Sequence, residues 1–332
     1  RTVLAEPHLI DGHELHVTPS IGISIFPDDG GNVDVLMQNA DTAMYHAKAN
    51  GRDTYRFFKA EMNAHAVRRL AVEGGLRRAL KQEEFLLHYQ PKINLVSGAI
   101  IGAEALVRWQ DPDLGLVKPD QFVPIAEENG LIVPIGQWVL REACRQVKAW
   151  LDAGLHAVPV SVNVSAAEFR HAGFLDGLAL ILKETGLAPR YLELEITESS
   201  LMHDAESSAS LLESLKAIGV QLAIDDFGTG YSSLSYLKRF PINTLKIDQS
   251  FVRDIATDAD DATIVSAMIG MGKSLKQRVI AEGVETNVQL AFLQAHQCDE
   301  GQGFHFSHPV SAVDFARLLD PQNDKRPQQR PG

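Results

Sequence analysis

Between Phe85 and about Leu319, short apolar stretches with strand period alternate with longer stretches of helical period. The strand candidates are Phe85–Asn94, Ala99–Trp109, Pro159–Val164, Tyr191–Thr197, Gln221–Asp226, Thr244–Asp248, Arg278–Glu282 and Gly303–Phe306. Between most of them the apolar residues repeat at helical spacing. Ser207–Ile218 is the clearest case, with Leu211, Leu212, Leu215 and Ile218 on one face. Ile264, Ala267, Met268, Met271 and Leu275 repeat the pattern later. About eight strands with intervening helices predict an α/β fold, a (β/α)8 barrel over residues 85–319. A doubly wound open sheet is the alternative, but the chain has no GxGxxG and no P-loop to support it.

The pattern before Phe85 differs. In residues 1–58, Leu15–Phe26 alternates like a strand, and Pro27-Asp-Asp-Gly-Gly31 reads as a turn. Val35 to Asn50 reads as an amphipathic helix with Leu36, Ala40, Ala43, Met44 and Ala47 on one side, and Thr54–Phe58 as a closing strand. This α+β block is too small for a strong core of its own. Residues 59–84 are charged and helix-like, a connecting helix with Leu70, Leu76 and Leu80 as apolar points. Residues 320–332 have no apolar face and are expected to be disordered.

Composition narrows the classes. The 332 residues are 45% hydrophobic and 22% charged, ordinary for a soluble globular protein. No apolar run approaches a membrane span. The chain opens on Arg1 without a signal peptide and reads as a piece of something longer, expected in the cytoplasm, whose parent could be membrane-tethered. Cys144 and Cys298 are the only cysteines, which argues against a zinc cluster or a disulfide scaffold and suits a reducing compartment. A net charge of -12 gives no footprint for a DNA or RNA polymer. It still permits a small phosphorylated ligand, because bound cations reverse the local sign of an acidic site.

The candidate chemistry sits where the strands end. Asp225 and Asp226 close the apolar run Val220–Ile224 and precede a glycine-containing loop, Phe227–Ser233. Two such acids repel each other, and a divalent metal pair is the usual remedy; a solvated turn is the bland alternative. Other strands end in the same manner. Gln90, Glu104, Asn163, Glu195, Glu198, Lys246, Glu282 and Gln302 all fall at or near predicted strand ends. Singly, Glu104 could be a surface acid beside Arg108, and Asn163 a turn residue. Glu193, Glu195 and Glu198 could form a solvated edge, with Glu193 and Glu195 on one face. Jointly, a set of Glu, Asn and Asp oxygens is hard-ligand chemistry that suits Mg²⁺ or Mn²⁺ rather than zinc or copper. His305 and His308 lack a third nitrogen or sulfur ligand nearby.

These residues stand in motifs: Tyr-Gln-Pro91, Glu104-Ala-Leu-Val-Arg-Trp109, Val162-Asn-Val-Ser165, Glu195-Ile-Thr-Glu198, Asp225-Asp-Phe-Gly-Thr-Gly-Tyr-Ser-Ser233, Leu245-Lys-Ile-Asp248, Ala281-Glu-Gly-Val-Glu-Thr286 and Gln302-Gly-Phe304. In this order, from about Arg68 to Leu319, they resemble the EAL domain, the bacterial phosphodiesterase of cyclic di-GMP. Residues 1–58 resemble the C-terminal part of a GGDEF domain, through Ser20–Ser24, Asn39–Lys48 and Asn50-Gly-Arg52. The Gly-Gly-Asp/Glu-Glu-Phe signature is missing, so this remnant should not synthesise cyclic di-GMP.

The resemblance implies roles. Glu104, Asn163, Glu195 and Asp225 would ligate one metal, and Asp225 would bridge to a second that Asp226 also holds. Glu282 would be the general base, and Lys246 would hold the attacking water or the phosphate. Gln90, Arg108 and Gln302 would contact substrate. Glu198 would steady the Phe227–Ser233 loop, which relatives use at a dimer interface. The implied reaction is two-metal hydrolysis of cyclic di-GMP to linear pGpG by a homodimer using Mg²⁺ or Mn²⁺, with Ca²⁺ inhibitory. A catalytically inactive cyclic di-GMP receptor is the alternative. Glu168 and Gln249 stand where many relatives carry Gln and Arg, and neither matches a metal ligand.

Overall fold

The computed structural model describes residues 8–10, 13–15, 18–49, 53–230 and 234–320. The chain forms two compact units, Arg1–Arg77 and Arg78–Gly332.

In the first unit, β1 (His8–Ile10) and β2 (His13–Leu15) form an antiparallel pair. β3 (Ile21–Ile23), α1 (Val33–Ala49) and β4 (Tyr55–Phe57) follow, with β3 and β4 parallel. Asn32 starts α1 by accepting the Val35 N–H, and Asp34 lies in its first turn with His46 and Lys48 in its last, as the helix dipole favours. The helix lies so close to β3 that a Cβ on Gly22 would stand 1.9 Å from the Ala40 carbonyl oxygen. Ala43 and Ala47 are fully buried. The strand expected over Leu15–Phe26 contributes only β2's last residue and β3; His16, Val17 and Asn50 lie outside the described residues. α2 (Ala60–Ala79) follows.

In the second unit, β5 (Phe85–Asn94), β6 (Ile100–Asp111) and β7 (Gly115–Val117) precede α3 (Pro119–Glu128) and α4 (Ile132–Asp152). Next come β8 (Val160–Val164), α5 (Ala166–Phe169), α6 (Phe174–Thr185), β9 (Leu192–Thr197), α7 (Glu198–Met202) and α8 (Ala205–Ile218). They are followed by β10 (Gln221–Phe227), α9 (Leu234–Arg239), β11 (Thr244–Ile247), α10 (Gln249–Arg253) and α11 (Ala259–Ser274). The last elements are β12 (Arg278–Ala281), α12 (Asn287–Ala295), β13 (Glu300–Gly301), β14 (Val310–Ser311) and α13 (Ala312–Leu319).

Eight strands close a barrel in the order β5-β6-β8-β9-β10-β11-β12-β13, and β13 pairs back onto β5. β6 and β8 through β13 run parallel, whereas β5 is antiparallel to both of its neighbours. The reason is local. Only Leu95–Ala99 separates β5 from β6, which is too short for a crossover. Asn94 accepts from the Val96 and Ser97 amides, and Gly98 takes a left-handed φ of 71°, so the chain turns back as a hairpin.

The closing strand also differs from expectation. It is Glu300–Gly301, not Gly303–Phe306, which forms a turn. The acid-and-glycine stretch has poor strand propensity, but tertiary partners hold it: Arg278 reaches Glu300, and a Cβ on Gly301 would lie 2.8 Å from Leu95.

Alternation along the strands sorts the two sides of the barrel. Leu192, Leu194 and Ile196, Val160 and Val162, Leu222 and Ile224, and Leu245 and Ile247 are buried between barrel and helices. The residues between them carry polar groups that bond across the lumen. Lys92 on β5, for example, reaches Glu193 on β9, two strands beyond its neighbour β6. The apolar core is therefore the ring around the barrel. The interior, which other barrels fill with branched apolar chains, is largely polar here.

Candidate active site

The interior polar residues come from positions i and i+2 of successive strands, and register stacks them in two layers. Gln90 lies opposite Glu104, Asn163 opposite Glu195, and one step lower Ser161 opposite Glu193. Thr244 lies opposite Arg278 in the lower layer.

The upper layer occupies the C-terminal ends of the parallel strands. Asp225 follows the alternation and points inward, so its neighbour should point out. A bulge prevents this: Ile224 pairs with Leu245, but Phe227 pairs with Ile247, one residue out of step. Asp226 absorbs the extra residue with a φ of 52°, a conformation Asp tolerates better than most side chains. Carboxylate oxygens of Asp225, Asp226 and Glu282 consequently lie within 4.8 Å of one another.

The Lys246 ammonium stands among these acids. It lies 2.6 Å from Glu195 Oε2, 2.8 Å from Asp225 Oδ1, 2.6 Å from Glu282 Oε1 and 4.0 Å from Glu104 Oε2. Burial works against its charge, but Asp225, Glu104, Glu195 and Glu282 outweigh burial and hold it protonated. Lys246, even with Lys92 reaching Glu195 from below at 2.7 Å, cannot balance five carboxylates. Burial and then the Asp225 charge push Asp226 up to about 6. Burial is also the largest effect on Glu282, which rises to about 8 with help from Asp225, Glu104 and Glu195. The part of each shift that comes from the neighbouring acids is charge that divalent cations would neutralise. The donor set is all oxygen, so it fits Mg²⁺ or Mn²⁺.

The other site residues join the same mouth. Asn163 is exposed and its amide donates to Glu104 Oε1 at 2.6 Å. Gln302 donates to Glu104 Oε2 at 2.6 Å and to Gln90 Oε1 at 3.0 Å, and Gln90 donates to the Ser307 carbonyl. Gln302 Oε1 is a buried acceptor without a hydrogen-bond partner among the described residues. Arg108 is half-buried and donates to the Val107 carbonyl. Burial lowers its pKa, and Glu104 opposes that shift. Glu198 is buried at the start of α7, and its Oε2 accepts the Gly228 amide at 2.9 Å. Gly228 has a φ of 99°, and a Cβ there would meet Met268 Cε at 2.1 Å. Tyr231, Ser232 and Ser233 of this loop lie outside the described residues.

A lower layer, beyond the residues singled out by sequence, lies beneath these. Lys92 is fully buried and binds Ser161 Oγ, Glu193 Oε1 at 2.8 Å and Glu195 Oε1 at 2.7 Å. Arg278 binds Glu193 Oε2 and Glu300 Oε1, each at 3.0 Å, and donates to Gln221 and Thr244. Burial opposes the Glu193 charge, but Lys92 and Arg278 prevail and bring its carboxyl down to about 2. The signal was present in the i, i+2 polar pairs Gln90 with Lys92, Ser161 with Asn163, Glu193 with Glu195, and Thr244 with Lys246.

Among the described residues, no helix is long and apolar enough to cross a membrane.

Comparison with known proteins agrees with this architecture. The EAL domain profile matches residues 73–309, and the diguanylate cyclase GGDEF domain profile matches residues 1–54. The chain belongs to the EAL domain family. It is 49% identical over 309 residues to MucR of Pseudomonas aeruginosa, named a bifunctional diguanylate cyclase/cyclic di-GMP phosphodiesterase, covering 93% of this chain and 45% of that protein. It is 41% identical over 316 residues to PdeR of Escherichia coli, named a cyclic di-GMP phosphodiesterase, covering 95% of this chain and 48% of that protein. The chain thus spans about half the length of these curated relatives. Among solved structures, the PaMucR phosphodiesterase in complex with c-di-GMP matches with a TM-score of 0.72 at 49% identity, covering 74% of this chain and 99% of that one. The FimX EAL domain from Pseudomonas aeruginosa bound to c-di-GMP matches with a TM-score of 0.66 at 27% identity, covering 73% of this chain and 96% of that one.

Proposed function

We propose that this barrel hydrolyses cyclic di-GMP to linear pGpG. The observation that carries the reading is the charge imbalance at the mouth. Glu104, Glu195, Asp225, Asp226 and Glu282 converge where one buried ammonium, Lys246, stands among them and a second, Lys92, reaches only Glu195 from below. Relatives named as cyclic di-GMP phosphodiesterases support the choice of substrate.

In this reading Glu104, Asn163, Glu195 and Asp225 hold one ion, and Asp225 with Asp226 holds a second. Two Mg²⁺ or Mn²⁺ ions, when bound, supply the Lewis acidity that makes water nucleophilic near neutral pH and offsets charge on a phosphodiester. The chain's own residues do the rest. Glu282, 2.6 Å from Lys246 and within 4.8 Å of Asp225 and Asp226, is the carboxylate placed to take the proton. The Lys246 ammonium is fixed by three carboxylates and faces the charge that develops on phosphate oxygen. Arg108 offers a guanidinium to a substrate phosphate. Gln302 Oε1 and Gln90 offer polar contacts to the nucleotide. Glu198 braces the loop after the aspartates through the Gly228 amide. Residues 1–58 act as a GGDEF remnant, 59–84 as connector and 85–319 as a phosphodiesterase that pairs with a second copy.

The test is to incubate the purified protein with cyclic di-GMP and Mg²⁺ or Mn²⁺ and to resolve the products. The expected product is pGpG. Ca²⁺, larger and a poorer Lewis acid, should support binding and inhibit the Mg²⁺ reaction. Binding without turnover under any divalent ion would favour the receptor reading, and absence of both would sink the proposal.

A further inference from the structure

Lys92 contacts a proposed ligand yet lies below the reacting layer. Its ammonium holds Glu195 Oε1 at 2.7 Å, while Lys246 holds Glu195 Oε2 at 2.6 Å. Glu195 is therefore gripped on both oxygens, one from beneath and one from the side of the acids. Lys92 is in turn fixed by Glu193 Oε1 and Ser161 Oγ, and Glu193 is anchored by Arg278 and Thr244. The barrel makes room for this lysine. Gly102 lies opposite Lys92 in register, and a Cβ there would stand 3.3 Å from Lys92 Cδ. A buried side chain held by three partners has a single conformation open to it, and it passes that order to Glu195.

We propose that Lys92 is a positioning residue for the metal site: it fixes the Glu195 carboxylate in the orientation that ligation requires. This rests on the two-ion reading above. It goes beyond that reading by making the lower layer a support of the upper one. The grip on Oε1 leaves Glu195 only the Oε2 side, already turned toward Lys246, Asp225 and Glu282, from which to reach a cation. Without the grip, the carboxylate gains rotational freedom that must be removed when an ion binds.

The experiment measures Mn²⁺ affinity by isothermal titration on the whole chain, with melting temperature and circular dichroism recorded alongside. Lys92→Met should weaken Mn²⁺ binding by about 10–100-fold, the usual effect of removing the partner that orients a ligand. Glu193→Gln leaves Lys92 on Glu195 but slackens one of its anchors, and should weaken Mn²⁺ binding clearly less than Lys92→Met. The double variant Lys92→Met/Glu193→Gln restores charge balance in the lower layer. It should melt near wild type yet bind Mn²⁺ as weakly as Lys92→Met. Ser161→Ala, which loosens the lysine without altering charge, should give a smaller loss in the same direction and serves if Lys92→Met does not fold. Recovery of wild-type affinity in the double variant would overturn the proposal, because Lys92 would then matter only for charge balance. Equal weakening by Glu193→Gln and Lys92→Met would also overturn it. If the wild-type protein itself binds no Mn²⁺, the two-ion reading falls and this inference falls with it; normal binding by wild type and by Lys92→Met alike removes the inference alone.

Discussion

One layer of the barrel sets two cations, Lys92 and Arg278, against two acids, Glu193 and Glu300; the layer above sets five acids around the Lys246 ammonium. Both are drawn from the same kinds of residue on the same strands. In the lower layer every charge is paired, and Glu193 is held ionised with its carboxyl down at about 2. In the upper layer burial, helped by neighbouring acids, pushes Asp226 up to about 6 and Glu282 up to about 8. A buried ion pair that balances is architecture. One that does not is a receptor for what would balance it.

The sharpest way to break this contrast is to remove an upper acid. Asp225→Asn should lower activity by orders of magnitude while leaving the fold intact, because repulsion in the ion-free protein is relieved rather than created. Turnover assays with thermal melts check both halves, and near-normal turnover would remove Asp225 from the metal site. Glu282→Gln separates binding from chemistry. It should bind cyclic di-GMP about as well as wild type and turn over very slowly, since a general base acts on rate more than on affinity. Loss of binding instead would assign Glu282 a structural or ligand role.

Glu198→Ala tests whether the upper layer depends on its loop. Freed from the Gly228 contact, the loop should let Asp225 and Asp226 drift, and the Mg²⁺ concentration for half-maximal activity should rise. Superimposable Mg²⁺ curves would place Glu198 outside the site. The lower layer answers differently. Arg278→Met leaves the buried Glu300 without its cation and should cost ~2–3 kcal/mol of stability, less than a fully buried pair because the guanidinium partly faces solvent. Denaturant titration measures it, and an unchanged midpoint would mean the layer is not architectural.

Glu168 gives a third case, a buried acid with no cation paired to it among the described residues. Its Oε2 accepts from the Ser165 amide and hydroxyl, and burial pushes it from 4.5 up to about 7. The folded chain keeps this proton where the unfolded chain has lost it. The stabilisation is complete below pH 4.5 and is lost as pH rises through about 7. The loss amounts to roughly 3 kcal/mol. Glu168→Gln should flatten that part of the pH–stability curve, and an unchanged slope would refute the assignment.

Much of this was readable in the chain. The upper layer announced itself because its residues stand at strand ends, where a barrel exposes them. The bulge was not legible: no residue between Ile224 and Phe227 is a glycine, and Asp226 takes its positive φ because β11 holds the strand on either side. Lys92 is not legible, because a lysine within an apolar strand reads as a surface charge until its three partners, two of them on β9, are brought to it. Glu300–Gly301 does not read as a strand because its support comes from Arg278 and Leu95, distant in sequence.

The reversed first strand has a mechanical consequence. Because β5 runs against its neighbours, Phe85 lies level with Trp109, at the same end of the barrel as the acids, and the polypeptide enters at the rim instead of the floor. That entrance is clasped: Arg78 grips Glu84 and Asp111, and Trp109 donates to Glu84. A pull or twist arriving along the chain at Arg78 is thus delivered to the strand that carries Gln90 and then Lys92, within a few residues of the mouth. The barrel has its handle on the working end.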